Sequence, residues 1–281
     1  MKIVRYLGFT AALSLFFAAP AASAQEREFE PQSQESRVGL EFDWLHTVPP
    51  PDVGAINVLT WDILLQIGIT PRLFIDGDIS WAFASFPATP DRGAFGNPMI
   101  GLHYADSVSK TVSFFVGGAL GIPVNADPSD AGVFTDTYVG SIRAYADLAR
   151  FAPRAFPLTF RGGIEISAAP FFARFDLAPS FLIGLQRNPG TIVVIDQGND
   201  LGLRAKNGFL GGLRLQENFT LTDTIDGDQA QLAMEPFLGY ESNGPGLFLR
   251  FGLLFALDER AGFGFNRGKD AITRFTIGGK F

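Results

Sequence analysis

The chain has no cysteine among its 281 residues. That excludes disulfide stapling, thiolate metal sites and cysteine nucleophiles. Histidine is nearly absent, with only His46 and His103, so imidazole chemistry has few places to sit. After residue 24, no stretch has the ~18 consecutive apolar residues of a membrane-spanning helix. "FLRFGLLFAL", Phe248 to Leu257, comes nearest, and Arg250 interrupts it. No glycine cluster has the spacing of a phosphate-binding loop followed by a helix. Basic residues are outnumbered, 22 against 29 acidic, for a formal charge of −7. An acidic chain is a poor partner for nucleic acid, and none is expected.

What is present begins with a leader. Lys2 and Arg5 form a basic start, Leu7 to Ala19 an apolar run too short to span a bilayer, and "AASAQ" follows with Ala22 and Ala24 at small-residue positions. Residues 1–24 therefore read as a signal peptide cleaved after Ala24. Cleavage leaves 20 basic and 29 acidic residues, a formal charge of −9. Residues 25–36 are a polar N-terminal tail, and 37–281 one domain.

Period-two alternation dominates that domain. Val38, Leu40, Phe42 and Trp44 alternate with Gly39, Glu41 and Asp43. From Leu73 to Ala84, the odd positions read Leu, Ile, Gly, Ile, Trp, Phe, and the even ones carry Asp76 and Asp78. From Leu247 to Leu257, every odd position is Leu or Phe, with Arg250 on the other face. The pattern predicts strands at 36–46, 56–69, 72–84, 97–106, 111–122, 137–149, 157–168, 172–187, 209–221, 229–241, 246–258 and 270–281. Most exceed the ~5–6 residues of ordinary globular strands and match the ~9–11 of a tilted membrane-spanning strand. The expected fold is all-β: a transmembrane antiparallel up-and-down barrel of about 12 strands, with 14 as the alternative. Outer loops are expected near 47–55, 85–96, 123–136, 169–171, 222–228 and 259–269.

One segment resists this reading. In "TIVVIDQGNDLGLRA", Thr191 to Ala205, Gln197 and Asn199 share parity with Val193, Ile195, Leu201 and Leu203. As a lipid-facing strand it would leave two amides in hydrocarbon, at several kcal/mol each. Residues 188–208 are therefore expected to add no net crossing, as a periplasmic excursion or as a short hairpin.

The C-terminus, "RFTIGGKF", alternates to a terminal phenylalanine. With the pattern described above, it resembles the closing strand of Gram-negative outer-membrane β-barrel proteins, although Gly279 departs from the large apolar residue common there. The resemblance implies that Phe275, Ile277, Gly279 and Phe281 are an assembly signal for the barrel assembly machinery. It also implies an outer-membrane location with lipid as a partner. "GNPMIGLHY", Gly96 to Tyr104, is similar to a strand motif of some barrel transporter families.

Charge on a lipid face is costly, so the charged parity must point inward. The predicted lumen set is Glu41, Asp43, Asp62, Asp76, Asp78, Arg143, Asp147, Arg161, Glu165, Arg174, Asp176, Arg214, Glu235, Arg250, Arg274 and Lys280. The first three strands contribute only acids and the last two only bases. Closure should therefore bring Arg274 or Arg250 to Glu41 or Asp43. Trp44, Trp61, Trp81, Tyr104, Tyr138 and Tyr240 fall on the lipid parity, where aromatic girdles form.

Enzymatic chemistry finds little support. Neither His46 nor His103 has a serine placed as in barrel phospholipases, and no enzyme activity is expected. "DTIDGD" (Asp223 to Asp228) and "DPSD" (Asp127 to Asp130) lack calcium-loop spacing and read as solvated turns. No metal and no cofactor is expected. The lumen charges fit either a pathway for small solutes or a structural network plugging the barrel. The oligomeric state stays open.

Overall fold

The computed structural model describes residues 35–47, 57–86, 89–124, 148–185, 190–222, 230–257 and 270–281. The signal peptide, most of the tail, Arg143, Asp147, Tyr138, "DPSD" and "DTIDGD" lie outside them. Thirteen strands follow in order: β1 (Arg37–Thr47), β2 (Asn57–Gly68), β3 (Leu73–Phe86), β4 (Thr89–Phe95), β5 (Met99–Ser107), β6 (Val112–Gly121), β7 (Ala155–Ala168), β8 (Phe171–Gly184), β9 (Thr191–Arg204), β10 (Phe209–Thr220), β11 (Ala230–Glu241), β12 (Gly246–Ala256) and β13 (Asp270–Lys280). Among the described residues a single helix, α1 (Leu148–Phe151), precedes β7.

Consecutive strands pair antiparallel except β4 with β5, which both pair with β3, and β1 pairs with β13 from Arg37↔Lys280 to Thr47↔Asp270. The sheet is thus closed. β4 and β5 are two halves of one crossing. β4 lies along the far half of β3 (Trp81↔Phe95) and β5 along its near half (Asp78↔Met99). The barrel has twelve crossings.

The break between β4 and β5 is Gly96-Asn97-Pro98. Proline has no amide hydrogen for the ladder, so a strand interior tolerates it only at an edge or an irregularity. Here the Gly96 amide still reaches the Ser80 carbonyl at 2.8 Å, but the Asn97 amide leaves the ladder and donates to the Arg150 carbonyl of α1 at 2.5 Å. The sheet gives up one ladder bond where the helix docks.

Turns 69–72, 108–111, 169–170, 205–208 and 242–245 are two to four residues long and share one end with both strand termini. By the rule for bacterial barrels, this end is periplasmic. Gly208 and Gly244 hold φ of 93° and 89° in two of these turns, a region other residues avoid.

Four expectations are corrected. Most of the outer loop expected at 85–96 is strand, as the end of β3 and as β4. Residues 188–208 do cross: β9 pairs along its whole length with β8 and β10 (Arg174↔Asp200, Arg214↔Asp200). Within the expected strand 137–149, the part described, Leu148 and Ala149, is helical and buried in the lumen rather than paired in the wall. Residues 169–171, expected as an outer loop, form a tight periplasmic turn into β8. One crossing gained and one lost leave the count at twelve, but β7 and β8 run opposite to the expected directions. The fourteen-strand alternative is excluded.

The β9 correction is open to a direct check. Ile195 faces outward one residue pair from the strand centre. Ile195→Arg should therefore lower barrel stability by roughly 2 kcal/mol, read by denaturant unfolding in detergent micelles. A periplasmic excursion would tolerate the change.

Candidate functional site

Alternation sorts the described residues into two faces. The outward face is almost wholly Leu, Ile, Val, Phe and Trp, and many of these stay exposed: Leu40, Trp44, Ile63, Phe83, Ile100, Phe160, Leu213, Leu238, Phe251 and Phe275. Exposed apolar surface on this scale, around a closed sheet, needs lipid rather than water against it. At the periplasmic rim Phe171, Phe209 and Tyr240 form part of an aromatic girdle, with the Phe209 and Tyr240 rings 5.3 Å apart. Trp61 and Trp81 stack on each other further up the wall.

The inward face carries the charges. Glu41, Asp43, Asp62, Asp76, Asp78, Arg161, Glu165, Arg174, Asp176, Arg214, Glu235, Arg274 and Lys280 are all buried inside the barrel, and Arg250 nearly so. They gather into four groups.

The first lies on the closure seam. Asp43 and Arg274 are direct register partners across β1 and β13. Arg274 Nε lies 3.1 Å from Asp43 and 3.6 Å from Glu41, and its Nη1 donates to Glu235 at 2.8 Å. Arg250 reaches Glu235 at 3.4 Å, with its guanidinium 4.0 Å above the Phe237 ring. At the periplasmic mouth of the same seam, Glu241 accepts from Arg37 at 2.5 Å and Lys280 at 3.1 Å.

The second group joins β3, β5 and β7. Asp76 Oδ2 meets His103 Nδ1 at 2.6 Å and also pairs with Arg161. Phe74 stacks on the His103 ring.

The third is a ladder across β7 to β10. Glu165 accepts from Arg174 at 2.7 Å, and Arg174 reaches Asp200 at 3.4 Å. Arg214 then spans Asp200 at 3.0 Å and Asp176 at 2.8 Å, its Nη1 donating to both Asp200 oxygens and its Nη2 to both Asp176 oxygens. Gly198 makes this possible, because a Cβ there would collide with the Arg214 guanidinium and the Asp176 carboxylate.

The fourth group fixes α1 in the lumen. Arg150 donates to Asp78 from Nε at 2.6 Å, its Nη2 lies 2.5 Å from the same carboxylate oxygen, and Asp62 is 3.9 Å from its Nη1. The Asn97 side chain donates to the Ala152 carbonyl at 3.0 Å. Phe151 is fully buried, in an apolar cluster with Leu45, Val58, Ala82, Leu254 and Ile272. Leu148, Ala149 and Ala152 pack with Leu182 and Val194 of β8 and β9. The segment thus touches both sides of the barrel in its outer half and narrows it there.

Sequence reasoning placed fourteen of these lumen charges by parity but missed Arg37, Arg150, Asp196 and Asp200. Asp200 was lost with β9, although Asp196, Gly198 and Asp200 share one parity and could have been found by it. Arg150 sits in a four-residue helix with no detectable period, and nothing in the sequence marks it.

No protein-family model and no curated protein matches the chain. Among solved structures it is similar to an outer-membrane channel from Pseudomonas putida F1, at TM-score 0.56 and 10% identity, covering 87% of this chain and 95% of that one. It is also similar to the NanC porin, at TM-score 0.55 and 7% identity, covering 87% of this chain and 100% of the porin. The chain is a β-barrel of the outer-membrane type.

Removing one partner from a dry ion network strands the other charges. Arg214→Met should cost about 3–5 kcal/mol, measured by denaturant unfolding followed by tryptophan fluorescence. Adding Asp176→Asn and Asp200→Asn should recover much of that loss.

Proposed function

We propose that this barrel passes small solutes across the bacterial outer membrane, and that α1 sets its constriction. The observation that carries the reading is a non-strand segment folded into a charged lumen and held by polar contacts, Arg150 on Asp78 and Asn97 on the carbonyls of Ala149 and Ala152. Contacts of this kind narrow a pore while leaving side-chain charge at its tightest point, where selectivity is set. A twelve-stranded barrel is wider than one that side chains alone fill, and narrower than a sixteen-stranded porin. The likeness to a channel and a porin supports the same reading.

The proposal extends to the route and the chemistry. Residues 1–24 serve as a cleaved signal peptide, and the C-terminal face of Phe275, Ile277, Gly279 and Phe281 as the assembly signal. Catalysis is not part of the reading. His103 has a carboxylate partner on Nδ1, but among the described residues its buried Nε2 meets no hydrogen-bond partner and so no nucleophile to activate. His46 bonds Thr273 on the outer surface instead.

A second reading has one observation in its favour. Apolar clusters on both sides of α1 close much of the outer lumen, which suits a plugged barrel with a structural role.

Planar-bilayer recording separates the two. Wild-type protein should give small unitary events, and Arg150→Ala should raise their conductance by about twofold or more, because it frees α1 and removes charge from the constriction. Silence from both proteins, each shown folded by heat-modifiable gel migration, would establish the plugged barrel.

A further inference from the structure

Asn218 stands apart from the other amides and charges of the lumen. It faces inward from β10 and is 2% exposed. Neither its amide nitrogen nor its amide oxygen meets a hydrogen-bond partner among the described residues. Burying such a group unpaired costs stability, and folded proteins seldom do it without a use for the group.

Its surroundings are polar and ordered. Asn218 is the register partner of Asp196 on β9 and of Gln231 on β11, and Asp196 faces Ala178 on β8. One row across four strands therefore reads Ala178, Asp196, Asn218, Gln231, at ~4.8 Å from strand to strand. On β10 itself, Gln216 lies on the periplasmic side of Asn218 and Thr220 on the outer side, both buried on the same face. Asp196, Gln216 and Gln231 have contacts of their own. The argument for a ligand rests on the Asn218 amide.

The row lies at the constriction. Leu148, Ala149 and Ala152 pack with Val194 of β9, the register partner of Thr220. Phe151 shares its apolar cluster with Ala233 of β11, the register partner of Gln216. One contact lies outward of Asn218 and the other toward the periplasm. Asn218 is thus in the stretch of wall that α1 spans.

The chemistry of the row selects a class of solute. A carboxamide donates from nitrogen and accepts on oxygen. That pair matches two neighbouring hydroxyls of one molecule, one accepting and one donating. The row holds one carboxylate, Asp196, and no cation. Arg214, two rows toward the periplasm, is committed to Asp176 and Asp200. An anionic solute would meet Asp196 with no counter-charge beside it. A metal cation would leave the amide N–H groups without an acceptor. Ala178 in the row and Ala233 next to it are small, which suits the body of a solute.

We propose that Asn218 is the centre of a binding site for a small neutral solute with adjacent hydroxyls, a sugar or polyol. The inference deepens the channel reading, on which it rests for the solute's route into the lumen. A polar group kept for a ligand is held at the expense of the fold, so removing it should weaken binding and not stability.

The test reads binding without requiring current. Detergent-solubilised wild-type barrel should give a saturation-transfer NMR signal on D-glucose, and acetate should give none. Asn218→Leu, an apolar isostere, should lose at least nine-tenths of the glucose signal. Its denaturation midpoint should stay level or rise, because two unpaired polar atoms are gone. Asn218→Ala should lose the signal likewise, and decides the matter if Asn218→Leu fails to fold. No glucose signal from folded wild type, a signal that survives either variant, or an acetate signal as strong as that of glucose overturns the proposal. So does a lower midpoint for folded Asn218→Leu, the mark of an amide that supports the fold through a bridging water. Glucose binding by a barrel that is silent in planar bilayers upholds the site and ends the channel reading. Conduction without glucose binding does the reverse.

Discussion

In hydrocarbon, an unpaired amide or carbonyl has no water to turn to, and each one left over costs several kcal/mol. A sheet can live there only if its first and last strands find each other. In this chain they do so in continuous register, from Arg37 on Lys280 to Thr47 on Asp270. Everything else depends on that closure. It fixes which parity faces lipid, because a slip of one residue would turn every charge outward. It also places the acids of β1 beside the base of β13, so the backbone seam and the ion seam are the same line.

The inner charges follow from closure but are not simply its adhesive. A dry ion pair recovers little more than its own desolvation cost, so such pairs are weak grounds for stability by themselves. What they supply is position. Arg214 lies across β9 only because Gly198 leaves room, and it engages both oxygens of Asp176 and of Asp200. Arg274 ties three carboxylates from β1 and β11 to one guanidinium. These contacts hold the wall round while leaving α1 to be held separately, by Arg150 and Asn97. Wall and constriction are therefore different mechanical parts, joined mainly at Asp78 and Asn97.

The sequence made the faces legible because side-chain alternation is a strict geometric consequence of the strand. Once charge is barred from lipid, parity decides where Glu41, Arg214 or Arg274 must point. The seam between Arg274 and the acids of β1 follows from strand order in the same way. Strand membership was less legible. Residues 137–149 alternate as well as any strand, yet Leu148 and Ala149 lie in a helix inside the barrel, since alternation records two faces and not whether a partner strand is present. β9 was discounted for the opposite reason, its amides on the lipid side. The two errors cancel in the count and show in the direction of β7 and β8. Arg150 was beyond reach altogether, because a four-residue helix has no period and its partners are distant in sequence.

Both departures from the rules of a barrel have a local logic. At Gly96-Asn97-Pro98, proline interrupts the ladder and frees the Asn97 amide to hold α1, so a break in the wall becomes the anchor of the constriction. At Gln197 and Asn199, the cost of a buried amide is a penalty and not a prohibition. A chain can bear it where the surrounding registers are secure, and β9 is secure, paired on both sides over nearly its full length. Regular strands settle the fold, and these two irregular places are where a chain that could have been a plain cylinder carries something more.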